Sequence, residues 1–254
     1  MDAIEPLSVV DRRGRIAGAS RDGARALAVR ARAVLLLSGA RANRYIAQGP
    51  VIPYHRFRRA TANFEFVRAA TTELLAREIG EQRLPGSVAE LGVFRGDYAR
   101  MLNACFPDRA LFLFDTFDGF DARDARRDAA EGLPTAPYPL PPTTAEIVRA
   151  RLPHPDRARI RPGWFPESAS GLERERFCFV HIDVGLWHAT AAGLEWFHPR
   201  LVPGGYMMVA DYNNAHTPGV RRAVREFTAR TGSTYAVLPD FQGHAVIGKP
   251  PPPE

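Results

Sequence analysis

The sequence contains very little cysteine and almost no lysine. Its 254 residues include two cysteines, Cys105 and Cys178, and one lysine, Lys249. Two cysteines build no disulfide framework, and their spacing is not that of metal ligands, so we expect two buried free thiols. The basic residues are therefore nearly all arginines. They are scattered among acids, and despite the formal net charge of +6 no block of like charge marks a nucleic-acid surface, so nucleic acid is not favoured as a partner.

Long apolar runs are also missing. The longest one near the N-terminus, residues 33–40, is far shorter than the roughly 20 residues that a membrane-spanning helix needs. The segment before it carries several acids and does not resemble a secretory signal. These absences predict a cytoplasmic protein without membrane insertion. A content of 45% hydrophobic and 24% charged residues fits one globular domain with a substantial core.

From residue 61 onward, short apolar segments alternate with segments of helical periodicity. The periodicity predicts a first helix over 63–80 and further helices over 98–106, 143–152, 165–172, 189–201 and 219–231. The apolar segments predict strands over 87–93, 110–117, 158–163, 177–184, 205–211, 234–239 and 244–248.

This alternation predicts an α/β fold, with a doubly wound, mostly parallel sheet that is covered on both faces. Only a short loop separates the last two strands, so we expect them to form a terminal antiparallel hairpin. The outline resembles the Rossmann-like fold of class I methyltransferases that use S-adenosylmethionine (SAM). That is an analogy at the level of the fold, and the site must decide the function.

Two segments depart from the alternation. Residues 1–60 are rich in arginine, and we interpret them as an N-terminal extension, helical over about 22–37 and irregular after that, before a catalytic domain over 61–254. Residues 118–142 are first charged and then rich in proline. They follow the carboxyl end of a strand, where open α/β sheets bind ligands. A connection of this length is usually functional or disordered. We predict a mobile lid over the acceptor, which is the molecule that would receive a methyl group. A solvated insertion is the alternative.

The loop after the first predicted strand is the first candidate site. The stretch AELGVFRG places Glu90 at the end of the strand and two glycines, Gly92 and Gly96, in the loop. Such glycines mark a backbone that something approaches closely, and the N-terminus of the following helix suits an anionic group. The third glycine of the dinucleotide motif is absent. The pattern favours a SAM-binding loop, with Glu90 near the amino-acid end of the cofactor, over a plain strand–helix turn.

Acids also stand at the ends of later strands. Asp115 ends the second strand, roughly 20 residues after the glycine loop. At this separation along the sequence, an acid can bind both ribose hydroxyls of an adenosine. Asp118 is a second candidate for the same role. A strand-end acid that only caps a turn is the plainer alternative.

The fourth and fifth strands end with Asp183 and Asp211, which should face one cleft at the carboxyl edge of the sheet. Two carboxylates on adjacent strands could hold Mg²⁺. Alternatively, Asp183 could be a general base that takes the proton from an acceptor hydroxyl, with His188 in reserve. Asn213 and Asn214 follow Asp211 and could add a neutral oxygen ligand. The structural alternative is that both acids only cap helices.

Four stretches together resemble one known family: VAELGVFRGDYARMLNACFPDRALFLFDTFDGFDARD, GWFPESASGLERERFCFVHIDV, GLEWFHPRLVPGGYMMVADYNN and GVRRAVREF. Over about residues 61–249 they resemble the macrocin O-methyltransferase family, which includes sugar O-methyltransferases of antibiotic pathways. The resemblance implies SAM as methyl donor and often Mg²⁺ at the acceptor hydroxyl. It places Asp183 on the position of the base and metal ligand, and Asp211 on a metal position. The candidates for cofactor binding are Glu90, Gly92, Gly96, Asp115, Thr116, Gly163, Trp164 and Asp183.

The chain also departs from the family pattern. Gly185 and Ala210 stand where relatives often carry a further acid. Each lost carboxylate weakens a site for a hard cation, so we expect Mg²⁺ binding to be weak or absent. We predict methyl transfer to a hydroxyl of a sugar or another small polar acceptor, in secondary-metabolite or glycan biosynthesis. An RNA methyltransferase, or a SAM-binding protein without activity, is the alternative. The sequence allows a homo-oligomer.

Overall fold

The computed structural model describes residues 66–135, 140–240 and 243–250. The predictions for residues 1–60 lie outside these ranges. The strands, numbered in chain order, are β1 (Ser87–Leu91), β2 (Leu111–Asp115), β3 (Ala158–Pro162), β4 (Phe177–Ile182), β5 (Leu201–Val209), β6 (Tyr235–Val237) and β7 (Ala245–Gly248). The helices are α1 (Phe66–Glu81), α2 (Asp97–Cys105), α3 (Ala122–Ala130), α4 (Ala145–Arg151), α5 (Trp187–Phe197) and α6 (Pro218–Thr231).

All seven strands form one sheet in the order β3-β2-β1-β4-β5-β7-β6. The first five strands pair in parallel, and β7 pairs antiparallel with both β5 and β6. This confirms the predicted α/β fold with its terminal antiparallel hairpin. The chain order reverses between β1 and β4, and open α/β sheets bind ligands beyond the carboxyl ends of the strands at such a point.

The two faces of the sheet carry separate apolar cores. Every residue of β1 and β4 is buried, which is typical of central parallel strands that are covered on both sides. On one face, Val88 and Phe179 pack with residues of α1, α2 and α4. On the other face, Val180 packs with residues of α5 and α6, including Phe197 and Phe227. Side chains alternate between the faces, so Glu90 lies on the same face as Val88.

Two predictions of local structure were wrong. The segment predicted as helix over 165–172 contains only one 3₁₀ turn, Glu167–Ala169, and then Gly171 at a φ of +83°. Conversely, α3 lies within the predicted lid, where no helix was expected. Its sequence, ARDARRDAA, has no apolar stripe, and its buried side chains are Asp124 and Asp128. Polar contacts to neighbouring elements, which a hydrophobic pattern does not reveal, therefore hold this helix in place.

Helices of the described part are too short or too polar to cross a bilayer. The longest of them, α1, has 16 residues.

Candidate functional site

A cleft of about 400 Å³ opens at the carboxyl edge of the sheet, beside the ends of β1, β2, β4 and β5. Most of the predicted site residues lie in its wall; they are Glu90, Gly92, Asp115, Thr116, Gly163, Trp164, Asp183 and Asp211. Gly96 and His188 are not part of this wall. Asp118, the second candidate for the ribose hydroxyls, does not line it either. The structure therefore brings together most of the candidates, which are distant in the sequence.

The two glycines of the loop after β1 have different neighbours. Gly92 has a φ of +87°, and a Cβ placed on it would lie 2.0 Å from the backbone carbonyl oxygen of Asp183. Only glycine fits there, because the loop passes directly against the end of β4. Gly96 is the N-cap of α2, and its Cβ would meet Val148 of α4 at 2.9 Å. Gly96 thus serves helix packing in this structure, and its predicted contact with the cofactor stays a prediction.

Asp115 holds the glycine loop in place. Its Oδ2 accepts hydrogen bonds from the backbone N–H groups of Val93 at 2.6 Å and Phe94 at 2.7 Å, and its Oδ1 accepts one from Phe117 at 2.7 Å. A carboxylate can accept about four hydrogen bonds, so roughly one position remains for a ligand hydroxyl. The predicted binding of both ribose hydroxyls by Asp115 therefore stays a prediction, and these contacts with the loop are an additional finding.

The turn after β2 supplies another part of the wall. The Thr116 hydroxyl donates to the carbonyl of Gly119 at 2.7 Å, and the Gly163 N–H donates to the carbonyl of Asp115 at 2.8 Å. A Cβ on Gly163 would be 3.9 Å from its nearest neighbour, so the space beside this backbone is open. Both residues line the cleft, and cofactor binding by them stays a prediction.

Three residues of the cleft wall have a left-handed backbone although they are not glycine. They are Phe94, Phe117 and Asp211, with φ values of +50°, +60° and +61°. Such conformations are unfavourable for residues with a side chain, and they concentrate at functional sites. Two of them, Phe94 and Phe117, donate their N–H groups to Asp115. Their strained backbone is thus held by the same carboxylate.

Glu90 has a carboxyl oxygen in the cleft wall that forms no hydrogen bond with the described residues. Its side chain is 2% exposed, and its Oε1 lies 3.3 Å from Nδ1 of His181. Its buried Oε2 has no hydrogen-bond partner among the residues that the structure describes. Burial, followed by the neighbouring charges of Asp183 and Asp115, raises the pKa of Glu90 well above its ordinary value. A buried acceptor of this kind fits an N–H donor of a ligand, because leaving it unsatisfied is costly.

Asp183 directly follows β4 and is half-buried in the cleft wall. Burial, followed by the nearby charge of Asp211, raises the pKa of Asp183 to about 7. A carboxylate with this pKa suits general-base chemistry near neutral pH. Because perturbed pKa values concentrate at functional sites, Asp183 is the strongest catalytic candidate in the cleft.

Asp211 is 1% exposed, and its Oδ1 accepts a hydrogen bond from the Asn214 side-chain amide at 3.2 Å. The amide oxygen of Asn213 accepts one from Arg221 at 2.6 Å. Within the described ranges, no three His, Cys, Asp or Glu side chains form a group that could hold a metal ion. Two carboxylates do not complete a Mg²⁺ site by themselves. Metal binding by Asp183 and Asp211 therefore stays a prediction.

His188 connects two helices. Its Nδ1 lies 2.6 Å from Oδ1 of Asp124, and its Nε2 lies 2.5 Å from the Arg127 guanidinium. The Asp128 carboxylate accepts hydrogen bonds from the backbone N–H groups of Trp187 at 2.7 Å and His188 at 2.9 Å, so it caps α5. Both ring nitrogens of His188 thus have partners on α3. The structure gives no support to His188 as a reserve base, and that role stays a prediction.

Trp164, in the wall of the cleft, also contacts Asp124 of α3. Its indole N–H donates to Oδ2 of Asp124 at 2.9 Å, and the Arg123 guanidinium lies 4.1 Å from the centre of the ring. The first part of the predicted lid is therefore a docked helix at the rim of the cleft. Residues 136–139 lie outside the described ranges, and a lid motion remains a prediction. Sequence reasoning missed Asp124 and Asp128; their spacing of four residues on a charged helix was the only available signal.

The family comparison agrees with this geometry. The family model described as Macrocin-O-methyltransferase (TylF) matches residues 66–238, which is more than half of the chain. The chain belongs to this family. The resemblance noted in the sequence is thereby confirmed, and the match covers every strand that lines the cleft.

Relatives of the chain are O-methyltransferases by name. One is the mycinamicin III 3''-O-methyltransferase of Micromonospora griseorubida, which is 32% identical over 63% of this chain and 67% of its own length. Another is an 8-demethyl-8-(2,3-dimethoxy-alpha-L-rhamnosyl)-tetracenomycin-C 4'-O-methyltransferase of Streptomyces olivaceus, 29% identical over 59% of this chain and 60% of its own length. The matches thus span about three fifths to two thirds of these relatives.

Solved structures support the fold. The O-methyltransferase NovP has a TM-score of 0.60 at 20% identity, over 74% of this chain and 81% of its own. The calicheamicin methyltransferase CalS11 has a TM-score of 0.56 at 16% identity, over 98% of this chain and 99% of its own. At these identities the similarity shows that the fold is that of the class I O-methyltransferases.

Proposed function

We propose that this protein is a SAM-dependent O-methyltransferase that methylates a hydroxyl of a sugar or another small polar acceptor in secondary-metabolite or glycan biosynthesis. One observation carries the proposal: two carboxyl groups suited to this reaction lie in the wall of one cleft. Asp183 has a pKa of about 7, and Oε2 of Glu90 has no hydrogen-bond partner among the described residues. The names of the relatives, one of which includes a rhamnosyl group, support this class of acceptor. They do not favour the RNA-methyltransferase alternative.

The residues of the cleft fit SAM. Oε2 of Glu90 would accept a hydrogen bond from the amino group of the cofactor, and the remaining acceptor position of Asp115 would take a ribose hydroxyl. Apolar side chains of the wall, Phe117 and Phe165 among them, offer surface for the adenine. The volume of about 400 Å³ is within the usual range for small-molecule sites.

The protein has two tasks in the reaction. SAM supplies a methyl group on a sulfonium, which makes the transfer a direct displacement by the acceptor oxygen. The cleft would align the acceptor hydroxyl with that methyl group, which would lower the entropic part of the barrier. Asp183 accepts the hydroxyl proton as the new C–O bond forms. The products are a methyl ether and S-adenosylhomocysteine (SAH), and Asp183 later releases its proton to solvent.

Binding and turnover test the proposal separately. Isothermal titration of the protein with SAH should show binding, and mass spectrometry should detect methylation when SAM is supplied with glycosylated macrolides or nucleotide sugars. Asp183→Asn should retain SAH binding and lose turnover. Asp156→Asn is a matched control, because that side chain is 76% exposed; it should retain both. Absence of SAH binding by the unmodified protein would refute the proposal, and an active Asp183→Asn enzyme would refute the assignment of the base.

A further inference from the structure

Four buried polar side chains form a row across one face of the sheet. Oε1 of Glu90 lies 3.3 Å from Nδ1 of His181, and Nε2 of His181 lies 3.5 Å from Nε2 of His244. The Nδ1 of His244 in turn contacts the carboxylate of Asp240, which also accepts the His244 backbone N–H at 2.8 Å. The row thus runs from the cleft to the connection between β6 and β7. Only Glu90 belongs to the wall of the cleft.

The backbone register produces this row. Glu90 on β1 pairs with His181 on β4, which pairs with Met208 on β5. Met208 pairs with Val246 on β7, two residues beyond His244. Neighbouring strands are about 4.8 Å apart, so side chains on one face can touch across the strands.

The row is enclosed by neighbouring side chains. The four side chains are at most 2% exposed. The ring of Tyr98 on α2 stacks on His181 with 3.8 Å between centroids, and the Tyr98 hydroxyl is 2.6 Å from that of Thr72 on α1. Buried polar groups destabilise a fold unless they are hydrogen-bonded. A row of this length is therefore expected to have one preferred arrangement of its protons.

The hydrogen bonds determine that arrangement. Burial opposes ionisation, but the hydrogen bonds from His244 hold the pKa of Asp240 below its ordinary value, so Asp240 is an acceptor and His244 carries its proton on Nδ1. Both rings are at most 1% exposed, and burial disfavours a charged imidazole, so each ring has one proton. His181 then donates from Nε2 to the free Nε2 of His244, and its Nδ1 is left as an acceptor. The neighbouring oxygen of Glu90 must donate to it.

We infer that Asp240, His244 and His181 are positioning residues that orient Glu90, so that its Oε2 faces the amino group of the cofactor. The inference rests on the proposed function, since it needs SAM in the cleft. Asp240 acts only through the two histidines. The expected consequence is an energetic coupling between Glu90 and Asp240, two residues that no described contact joins.

Two ligands separate this role from general stability. SAH carries the amino-acid end that Glu90 would bind, whereas 5'-methylthioadenosine has the same adenosine and lacks that end. Asp240→Asn should weaken SAH binding about tenfold, the size expected for the loss of one hydrogen bond, and leave 5'-methylthioadenosine binding unchanged. In the Glu90→Gln background the same substitution should have little further effect, as a double-mutant cycle requires for coupled residues. Asp108→Asn, at an exposed position, is the matched control and should change neither affinity.

The outcomes are distinct. If the unmodified protein binds neither ligand, the proposed function fails and the inference falls with it. If it binds SAH and Asp240→Asn weakens both ligands equally, or weakens neither, the inference alone is overturned. Ring ¹⁵N chemical shifts of the unmodified protein give a second measurement that needs no folded variant. They should show the proton of His244 on Nδ1 and that of His181 on Nε2, and the opposite tautomers would also overturn the inference.

Discussion

The backbone carbonyl of Asp183 occupies the place where a side chain on Gly92 would begin, with 2.0 Å between its oxygen and an ideal Cβ. The loop that is predicted to bind the cofactor and the strand end that carries the candidate base are thus in direct contact. A change in one must displace the other.

Gly92→Ala should therefore impair both folding and binding. The methyl group would clash with the backbone of β4, and the φ of +87° would add about 1–2 kcal/mol of strain. Chemical denaturation should show a loss of several kcal/mol, and isothermal titration a loss of SAH binding. Gly232→Ala is the control, because its φ is +69° with nothing within 4 Å; it should lose about 1 kcal/mol and bind SAH normally. Equal effects of the two substitutions would contradict the close contact.

Asp115→Asn should loosen the glycine loop even without a ligand. An amide can accept with its oxygen only, so at least one of the three backbone N–H groups of Val93, Phe94 and Phe117 would lose its acceptor or face another donor. An unsatisfied buried donor costs about 1–3 kcal/mol. Thermal or chemical unfolding of the ligand-free protein measures this loss. Asp118→Asn, at an exposed position of the next turn, should be neutral. An Asp115→Asn protein of unchanged stability would mean that Asp115 serves only the ligand.

The rate should rise with pH through the pKa of Asp183. Burial and the charge of Asp211 raise that pKa to about 7, and the base must be ionised to accept a proton, so kcat/KM should fall below about pH 7. Stability should change in the opposite sense. The folded state binds this proton more tightly than the unfolded chain, so folding is weakened as pH rises from about 4 to about 7. Asp183→Asn should flatten this dependence in denaturation curves; a pH–rate profile without an inflection near neutrality would argue against Asp183.

The contact between α3 and α5 should contribute to the stability of the cleft rim. Asp128→Ala removes the carboxylate that accepts the N–H groups of Trp187 and His188, and loss of a helix cap costs about 1 kcal/mol. Hydrogen exchange should show faster exchange of these two amides and of α3. Arg126→Ala, at an exposed position of α3, should leave both unchanged. Unaltered protection in the Asp128 variant would show that other contacts hold α3.

Magnesium should have a weak effect or none. Asp183 and Asp211 supply two carboxylates, and the affinity of a hard-cation site depends on the charge and number of its ligands. Activity should therefore survive EDTA, or respond to Mg²⁺ only at high concentration once an acceptor oxygen completes the shell. Atomic emission analysis of the dialysed protein, with Asp211→Asn for comparison, checks this. A metal ion that survives dialysis and is lost in the Asp211 variant would contradict the prediction.

Much of the architecture was predictable because it depends on local patterns. The buried strands β1 and β4 are mostly apolar, and the spacing of apolar residues in α1, α2 and α6 marks their helical faces. A loop too short for a crossover helix made the hairpin of β6 and β7 antiparallel. The strand-end acids were also recognisable, since parallel strands bring their carboxyl ends to one edge, where Glu90, Asp115, Asp183 and Asp211 now line one cleft.

The partners of these side chains were decided by the tertiary structure alone. Nothing near Gly92 in the sequence indicates the carbonyl of Asp183, because the two are brought together by the pairing of β1 with β4. The helix α3 has no apolar periodicity, and its place depends on Asp124 and Asp128 meeting Trp164 and the start of α5. His188 follows the fourth strand closely enough to suggest a catalytic role, yet both nitrogens of its ring contact α3, at Asp124 and Arg127. Sequence periodicity reports which face of an element is buried, whereas hydrogen bonds between distant elements depend on the packing that follows.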